Sequence, residues 1–225
     1  MQTFRRHEKK YLLSESQYEE LLKKMQPYVV PDKFSETDIS SVYYDTDTYE
    51  LIRRSIEKPE YKEKLRIRAY GDVSDEDMVF VEFKKKLDGI VYKRRTKAVC
   101  KDVLNDIGHC SFKDEQVGNE IRYALSYYRG LSPKIYIGCT RTSYVGKDDS
   151  SLRITFDRNI RYRISDLSLH RNRKDRPVTE DTVMELKVKD TMPLWLTGIL
   201  DECKAYPRGF SKVGTAFMKE IKRSM

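Results

Sequence analysis

The sequence has 225 residues, enough for one domain with a substantial hydrophobic core, and no linker-like segment divides it. Lys and Arg number 44 against 36 Asp and Glu, and the formal net charge of +8 excludes basic proteins as the natural partner and favours an anion. No run approaches the ~20 apolar residues that a membrane-spanning helix needs.

Short segments in which apolar and charged residues alternate are typical of β-strands with two different faces. Asp88-Gly89 stands between two such runs and favours a hairpin. We therefore predict a mainly antiparallel sheet. The predicted strands are Phe4–Leu13, Ile39–Asp45, Glu63–Tyr70, Met78–Lys86, Val91–Cys100, Lys134–Tyr144, Ser151–Asp157, Ile160–Ile164 and Thr182–Lys189.

Helices interrupt this pattern. Ser14 and Gln17 form a capping box that predicts a helix start. The apolar spacing predicts further helices over Glu115–Tyr128, Leu194–Cys203 and Ser211–Lys222. The polar segment Asp166–Glu180 has no such period, and it is predicted to be a surface loop that orders only with a ligand.

The charged residues of the predicted strands fall on one face. Residues two apart in a strand point to the same side of a sheet, so Arg66 and Arg68 oppose the apolar Leu65 and Ile67. The same alternation sets further polar residues against apolar ones: Glu82, Lys84, Lys86, Lys93, Arg95, Lys97, Arg153, Thr155, Asp157, Glu185, Lys187 and Lys189.

Two interpretations of this charged face are open. A solvated outer face of an ordinary open sheet gives the same alternation. However, solvated faces usually mix Ser, Thr, Gln and both charges, whereas five strands here repeat Arg or Lys with an isolated carboxylate. Neighbouring like charges repel unless a polyanion compensates them. We therefore favour a sheet curled around a bore that binds an anionic chain along its length.

The residue types in this face suit phosphate chemistry. Arg offers a planar fork to phosphate oxygens and Lys a compact charge. Glu185, and with it Glu82 and Asp157, could be ligands for Mg²⁺ or Mn²⁺, which take one or two carboxylates plus substrate oxygens and water. The alternative for each carboxylate is a salt bridge to a neighbouring cation.

Eight short segments, in order along the chain, carry a family resemblance. They are Arg6–Tyr11, Leu65–Gly71, Val81–Lys84, Tyr92–Arg95, Thr140–Tyr144, Leu152–Asp157, Glu185–Lys187 and Phe210–Lys212. Their succession resembles the VTC domain, the polyphosphate polymerase branch of the CYTH-like triphosphate tunnel metalloenzymes, over nearly the whole chain. The resemblance implies an α+β fold: a closed, mainly antiparallel eight-stranded β-barrel, the triphosphate tunnel, with flanking helices in a single domain of residues 1–225.

The resemblance also implies roles for individual residues. Catalytic contacts to phosphate would come from Lys10, Arg66, Arg68, Lys84, Lys93, Arg141, Arg153, Lys187 and Lys212. Further substrate contacts would come from Arg6, Arg95, Tyr144 and Ser211. Glu185 would hold Mn²⁺ or Mg²⁺, together with Glu82 and Glu8.

The implied activity is transfer of the terminal phosphoryl group of ATP to a growing inorganic polyphosphate chain. Hydrolytic members of the superfamily carry Glu-x-Glu-x-Lys on the first strand, whereas this chain has Arg6-x-Glu8-x-Lys10, which favours the polymerase. Two alternatives stay open: hydrolysis of inorganic triphosphate or nucleoside triphosphates, and polyphosphate binding without catalysis.

The expected partners are ATP and inorganic polyphosphate. Nucleic acid is not expected, because the 16 tyrosines do not cluster between basic residues as stacking platforms. The widely spaced cysteines and the lack of a signal-peptide core predict a cytoplasmic protein. The sequence shows no regulatory SPX domain or transmembrane helix of the kind found on eukaryotic VTC members, which leaves room for a separate membrane partner. It does not fix the oligomeric state.

Overall fold

The structure is a computed structural model that describes residues 7–57, 59–88, 90–170, 174–189 and 191–224. Its strands are β1 (His7–Leu13), β2 (Val29–Asp45), β3 (Tyr61–Tyr70), β4 (Met78–Leu87), β5 (Ile90–Val99), β6 (Ser132–Gly146), β7 (Arg153–Arg163), β8 (Arg176–Pro177) and β9 (Thr182–Val188). Its helices are α1 (Glu15–Met25), α2 (Glu50–Glu57), α3 (Cys100–Asn105), α4 (Glu115–Tyr128), α5 (Leu194–Glu202) and α6 (Lys212–Ser224).

The strands form one hydrogen-bonded sheet in the order β1-β9-β7-β6-β2-β3-β4-β5, with β8 added beside β7. The β1–β9, β9–β7, β2–β3, β3–β4 and β4–β5 pairs are antiparallel. An antiparallel sheet with flanking helices confirms the α+β prediction. Over the described residues this order starts at β1 and stops at β5, so the predicted closure into a barrel is not shown.

The chain divides into two compact units, each with its own core. Unit 1 contains Met1–Asp38, Cys139–Ile160 and Thr179–Phe210. Unit 2 contains Ile39–Gly138, Arg161–Val178 and Ser211–Met225. The prediction of a single domain over residues 1–225 stays a prediction.

The unit 1 core lies between strands β1, β7 and β9 and helices α1 and α5. Tyr11, Ile154 and Leu186 contribute the apolar side of the strands, and Leu21 and Leu196 contribute the helices. The predicted capping box at the start of α1 is confirmed: the Ser14 hydroxyl accepts from the Gln17 amide, and the Gln17 side chain accepts from the Ser14 amide.

The unit 2 core lies between β2 to β5 and helices α3 and α4. Val42, Ile67 and Val81 come from the strands, and Val103 and Ile121 from the helices. The predicted bounds of α4 are confirmed. The predicted hairpin is also confirmed, since Leu87 pairs with Ile90 across the turn; Gly89 lies outside the described residues.

Two short helices, α2 and α3, are not predicted by the sequence analysis. Helix α2 starts because the buried Asp45 carboxylate accepts hydrogen bonds from the backbone amides of Leu51 and Ile52. Helix α3 follows β5 without a break and has no side-chain cap. Both helices are shorter than the window of about 11 residues or more over which apolar spacing identifies a helix, and so the sequence analysis predicts neither.

Two predictions need correction, and a third extends beyond the described residues. Strand β2 begins at Val29 rather than Ile39, and its first half is polar and exposed, which hides the alternation. Two predicted strands are one strand, β7, in which a single residue, Asn159, adopts a positive φ of 51°. The strand predicted over Phe4–Leu13 is described from His7 onward.

The described parts of the segment predicted to be a ligand-ordered loop, residues 166–170 and 174–180, are instead anchored by protein contacts, and residues 171–173 lie outside the described residues. Arg163 is buried and donates to the Asp175 carboxylate at 2.9 Å and to the backbone carbonyl oxygens of Asp166, Ser168 and His170. Its guanidinium carbon lies 3.6 Å from the centre of the Tyr136 ring. Burial of Leu169 and Val178 adds apolar contact, and β8 pairs with β7. A polar composition therefore concealed a buried ion pair.

No helix among the described residues is long and apolar enough to cross a membrane.

Candidate active site

The unit 1 strands carry a polar face opposite their core. On β1 and β9, Glu8 pairs with Lys187 and Lys10 pairs with Glu185. Strand β7 continues the face, because Arg153 pairs with Lys187 on its other side. Leu186, between Glu185 and Lys187, and Ile154, next to Arg153, point into the core, which confirms the predicted alternation in β9 and β7.

Arg141 of β6 and Asp157 of β7 form the most enclosed ion pair of unit 1. Nε and Nη2 of Arg141 donate to the two carboxylate oxygens of Asp157 at 2.6 and 2.7 Å. The Asp157 side chain is fully buried. Burial disfavours the charged Arg141, but the hydrogen bonds and charge of Asp157 outweigh it and raise the pKa of Arg141. The contact found is thus the ion pair that was the alternative to metal ligation for Asp157.

Glu185 is nearly buried, with 12% of its side chain exposed. Its Oε1 lies 2.7 Å from Lys187 Nζ. Burial alone would raise the pKa of Glu185, but the charges of Lys187, Lys10 and Arg141 hold it well below its ordinary value. Glu185 is therefore a carboxylate that stays ionised in a shielded place.

Lys10 and Arg153 are further predicted residues on the polar face of unit 1. Lys10 Nζ lies 3.8 Å from Glu8 Oε1 and donates to the Phe210 carbonyl oxygen at 3.4 Å. Arg153 is 52% exposed and lies 3.3 Å from Asp32. We call these residues the unit 1 cluster: Glu8, Lys10, Arg141, Arg153, Asp157, Glu185 and Lys187.

Glu82 occupies the centre of the polar face of unit 2. Arg66 donates to its Oε2 from Nε at 2.8 Å and from Nη2 at 2.6 Å. Lys93 Nζ lies 2.7 Å and Arg95 Nε 3.3 Å from its Oε1. Burial would raise the pKa of Glu82, but Arg66, Arg68 and Lys93 lower it to about 2. Only 1% of the Glu82 side chain is exposed, whereas its partners Lys93 and Arg95 are 46% and 37% exposed.

Strand β2 adds hydroxyl groups that the sequence analysis missed. Arg66 Nη1 donates to the Tyr43 hydroxyl at 2.9 Å, and Arg68 Nε donates to the Ser41 hydroxyl at 3.1 Å. Ser41 and Tyr43 alternate with Val42 and Tyr44 of the core, so the parity that identified the arginines also applied here. The alternation was not recognised in the sequence because Tyr43 and Tyr44 are the same residue type, although they lie on opposite faces of β2.

Lysines form a row across the same face. Lys84 has Lys64 as its cross-strand partner on one side and Lys93 on the other. Lys64 Nζ donates to the Ser211 hydroxyl at 3.3 Å, and this hydroxyl also accepts from the Gly214 amide at the start of α6, whose first residue is Lys212. We call these residues the unit 2 cluster: Tyr43, Lys64, Arg66, Arg68, Glu82, Lys84, Lys93 and Arg95.

Two predicted substrate contacts are not brought into these clusters. The Tyr144 ring packs against the unit 1 core with its centre 6.1 Å from that of Phe156, on the side of β6 away from Arg141. Arg6 lies outside the described residues.

The carboxylates differ in their suitability for a metal ion. Glu185 and Glu8 share one face and are diagonal neighbours on paired strands. Both oxygens of Glu82 face cations instead. Among the described residues, no group of three or more His, Cys, Asp or Glu side chains forms a metal site on its own, so a cation here would need oxygens from the substrate.

Comparison with known proteins agrees with this geometry. Residues 5–219 match the VTC domain. Among solved structures, a putative adenylate cyclase from Bacillus halodurans is similar at 13% identity and a TM-score of 0.57, over 91% of this chain and 92% of that chain. A putative adenylyl cyclase from Hippeastrum, described as having a dominant triphosphatase activity, has 15% identity and a TM-score of 0.53 over 92% of both chains.

A third similar structure, the PH1819 protein from Pyrococcus horikoshii, has 12% identity and a TM-score of 0.50 over 96% of this chain and 99% of that chain. No curated protein matches the sequence. At these identities the solved structures bear on the fold, whereas the family match extends over almost all of the chain. The chain therefore belongs to the VTC domain family.

Proposed function

We propose that this protein is a metal-dependent ATP–polyphosphate phosphotransferase that extends inorganic polyphosphate. The observation that carries the proposal is the charge of the unit 2 cluster, in which six Lys and Arg side chains lie on one strand face around the buried Glu82, and Arg66, Lys93 and Arg95 contact that carboxylate. A strand face so rich in cations is suited to a linear polyanion, whose oxygens can bind several of them at once.

The reaction needs little covalent participation by the protein. A terminal oxygen of the polyphosphate acceptor attacks the γ-phosphorus of ATP in line, and the bond to the β–γ bridging oxygen breaks, so ADP leaves with that oxygen. The Lys and Arg side chains of the clusters neutralise the phosphate oxygens and align donor and acceptor. Arg66, Arg68, Lys84 and Lys93 would hold the phosphate chain, together with Lys212 and Ser211.

We assign the metal ion to the unit 1 cluster. Glu185 would hold Mn²⁺ or Mg²⁺, with Glu8 beside it, and the metal would add positive charge against the phosphate oxygens. Lys10, Arg141, Arg153 and Lys187 would bind phosphate around it. The proposal includes the closed barrel implied by the family resemblance.

The decisive experiment incubates the purified protein with γ-labelled ATP and Mn²⁺ and separates polymer from free phosphate on one gel. We expect labelled polymer and an equivalent amount of ADP. Omission of the metal should stop the reaction. Free phosphate without polymer would overturn the polymerase in favour of hydrolysis.

Hydrolysis of triphosphates is the second candidate, and Glu8 is the observation that favours it. Glu8 lies on the same face as Glu185 and 3.8 Å from Lys10, where it could bind a metal or accept a proton from water. The similar protein from Hippeastrum is described as a triphosphatase. Replacement of the first carboxylate of the hydrolase motif by Arg6 is the reason we place this activity second.

The third candidate is a module that binds polyphosphate without turnover. Tight binding of polyphosphate in the presence of a metal chelator, with no ADP released from ATP under any metal, would favour it over both enzymes.

A further inference from the structure

Tyr43 is an aromatic residue on the charged face of unit 2. Its neighbours Val42 and Tyr44 point into the hydrophobic core, whereas Tyr43 lies on the opposite side of β2 with Arg66 as its cross-strand partner. Only 8% of Tyr43 is exposed. A nearly buried phenol among guanidinium groups is therefore part of the candidate site, and none of the roles proposed above uses it.

The Tyr43 hydroxyl holds Arg66 from one side. Arg66 Nη1 donates to it at 2.9 Å, while Nε and Nη2 donate to Glu82 on the other side. The guanidinium carbon lies 5.7 Å from the centre of the Tyr43 ring. Because a hydroxyl both accepts and donates, the phenol can accept from Arg66 and still offer its own proton to a phosphate oxygen.

Cations surround the Tyr43 hydroxyl on β3. Burial would raise the pKa of Tyr43, but the charges of Arg66, Arg68 and Lys64 lower it to about 7. The nearby positive charges therefore favour the phenolate form of Tyr43 more than that of an ordinary tyrosine.

The other charged groups near this part of β2 have partners of their own. Asp45, on β2 itself, accepts from the amides at the start of α2. On β6, the other neighbour of β2, Lys134 pairs with Asp47 and the Tyr136 hydroxyl bonds with Ser40. Glu82 of β4 lies across Arg66.

We propose that Tyr43 is a positioning residue that also sets the charge of the unit 2 cluster. As a phenol it orients Arg66 and donates to a phosphate oxygen of the substrate. As a phenolate it adds a second internal negative charge beside Glu82 and weakens polyanion binding. The inference rests on the proposed function. It adds that proton uptake regulates the site: when polyphosphate binds, the pKa of Tyr43 rises and its phenolate takes up a proton.

The direct test is a pH titration of phenolate absorbance in the near ultraviolet. Wild-type protein should show one tyrosine titrating near pH 7. Tyr43→Phe should lose this step. Tyr44→Phe is the matched control, because Tyr44 is the next residue, faces the core and donates to the Val103 carbonyl oxygen, and this variant should keep the step.

The second measurement repeats the titration with saturating tripolyphosphate and no metal. If one charge close to the substrate changes the affinity on the order of tenfold, linkage requires the midpoint to rise by about one pH unit. Correspondingly, the affinity ratio of wild type to Tyr43→Phe should fall on the order of tenfold between pH 6 and pH 8.5. Protonation of tripolyphosphate changes its affinity for both proteins equally, so it does not affect this ratio.

The outcomes separate the two proposals. Wild-type protein that binds no tripolyphosphate at any pH overturns the proposed function and this inference together. Protein that binds tripolyphosphate but has an unmoved phenolate midpoint, or shows the same pH profile in Tyr43→Phe, overturns the inference alone. Loss of the neutral step in Tyr44→Phe but not in Tyr43→Phe would also overturn it, because the titrating residue would then be the wrong one.

Discussion

The unit 1 cluster and the unit 2 cluster use similar residues but differ in how their charges are compensated. The unit 1 cluster contains four cations and three carboxylates, and Arg141 forms an ion pair with Asp157. In unit 2, six cations share a strand face with Glu82, which contacts Arg66, Lys93 and Arg95. A near-balanced cluster can provide a carboxylate for a metal ion, whereas a cluster rich in cations is suited to an external anion.

The difference assigns distinct roles to two buried glutamates. Glu82 contacts Arg66, Lys93 and Arg95, and so it holds together a group of cations that would otherwise repel. Glu185 has a close contact to Lys187 and a diagonal neighbour, Glu8. We infer that Glu82 mainly stabilises the fold and that Glu185 mainly serves the reaction.

The largest expected effect is that of Glu82→Gln on stability. Removal of this charge leaves buried cations uncompensated, which typically costs about 3–5 kcal/mol in free energy of unfolding. Urea denaturation measures it. The control is Glu120→Gln, whose side chain is more exposed and pairs with Arg94, with an expected loss below about 1 kcal/mol. Equal losses in the two variants would contradict the role assigned to Glu82.

The lowered pKa of Glu82 also predicts how the free energy of unfolding depends on pH. The pKa of Glu82 is lowered in the folded state, from 4.5 to about 2, so its stabilising contribution is fully present above pH ~4.5 and is lost as the pH falls toward 2. The shift corresponds to about 3 kcal/mol. The stability difference between wild type and Glu82→Gln should therefore shrink by about 2 kcal/mol between pH 6 and pH 3. A difference that is constant over this range would show that the charge of Glu82 is not the cause.

Glu185→Gln should act on the reaction as well as on stability. Polymer synthesis should fall at least about 100-fold if Glu185 holds the metal, and the fold should also lose stability, because Lys187, Lys10 and Arg141 lower the pKa of Glu185 in the folded state. The control is Glu202→Gln, an exposed glutamate of unit 1 that pairs with Lys24. A Glu185→Gln protein with full activity would remove Glu185 from the metal role.

The strand faces could be predicted because alternation is a local property. Arg66 and Arg68 oppose Leu65 and Ile67 whatever the rest of the chain does, and the structure keeps that arrangement. The contacts of the carboxylates could not be predicted in the same way. Whether Glu82 meets cations or a metal depends on its register with neighbouring strands, and a single sequence does not specify register.

Tertiary contacts also decided the elements that the sequence analysis missed. Helix α2 depends on Asp45, a buried carboxylate whose role is visible only when the folded chain places it against the Leu51 and Ile52 amides. The anchored segment after β7 depends on Arg163 and Asp175, which are 12 residues apart and look like loop residues. In each case a charged residue in a polar stretch proved to be buried.

The smallest expected effects are those of replacing partly exposed cations, one from each cluster. These variants compare how strongly the two clusters bind a polyanion. Arg153→Gln should change stability by less than about 0.5 kcal/mol, because Arg153 is half exposed and its contact to Asp32 is a surface pair. Arg68→Gln removes a cation from the cluster with the larger positive excess. Tripolyphosphate affinity, measured by calorimetry at fixed salt, should therefore fall on the order of tenfold for Arg68→Gln and about threefold for Arg153→Gln. A larger loss of affinity in Arg153→Gln than in Arg68→Gln would mean that the unit 1 cluster contributes more to polyanion binding than the unit 2 cluster.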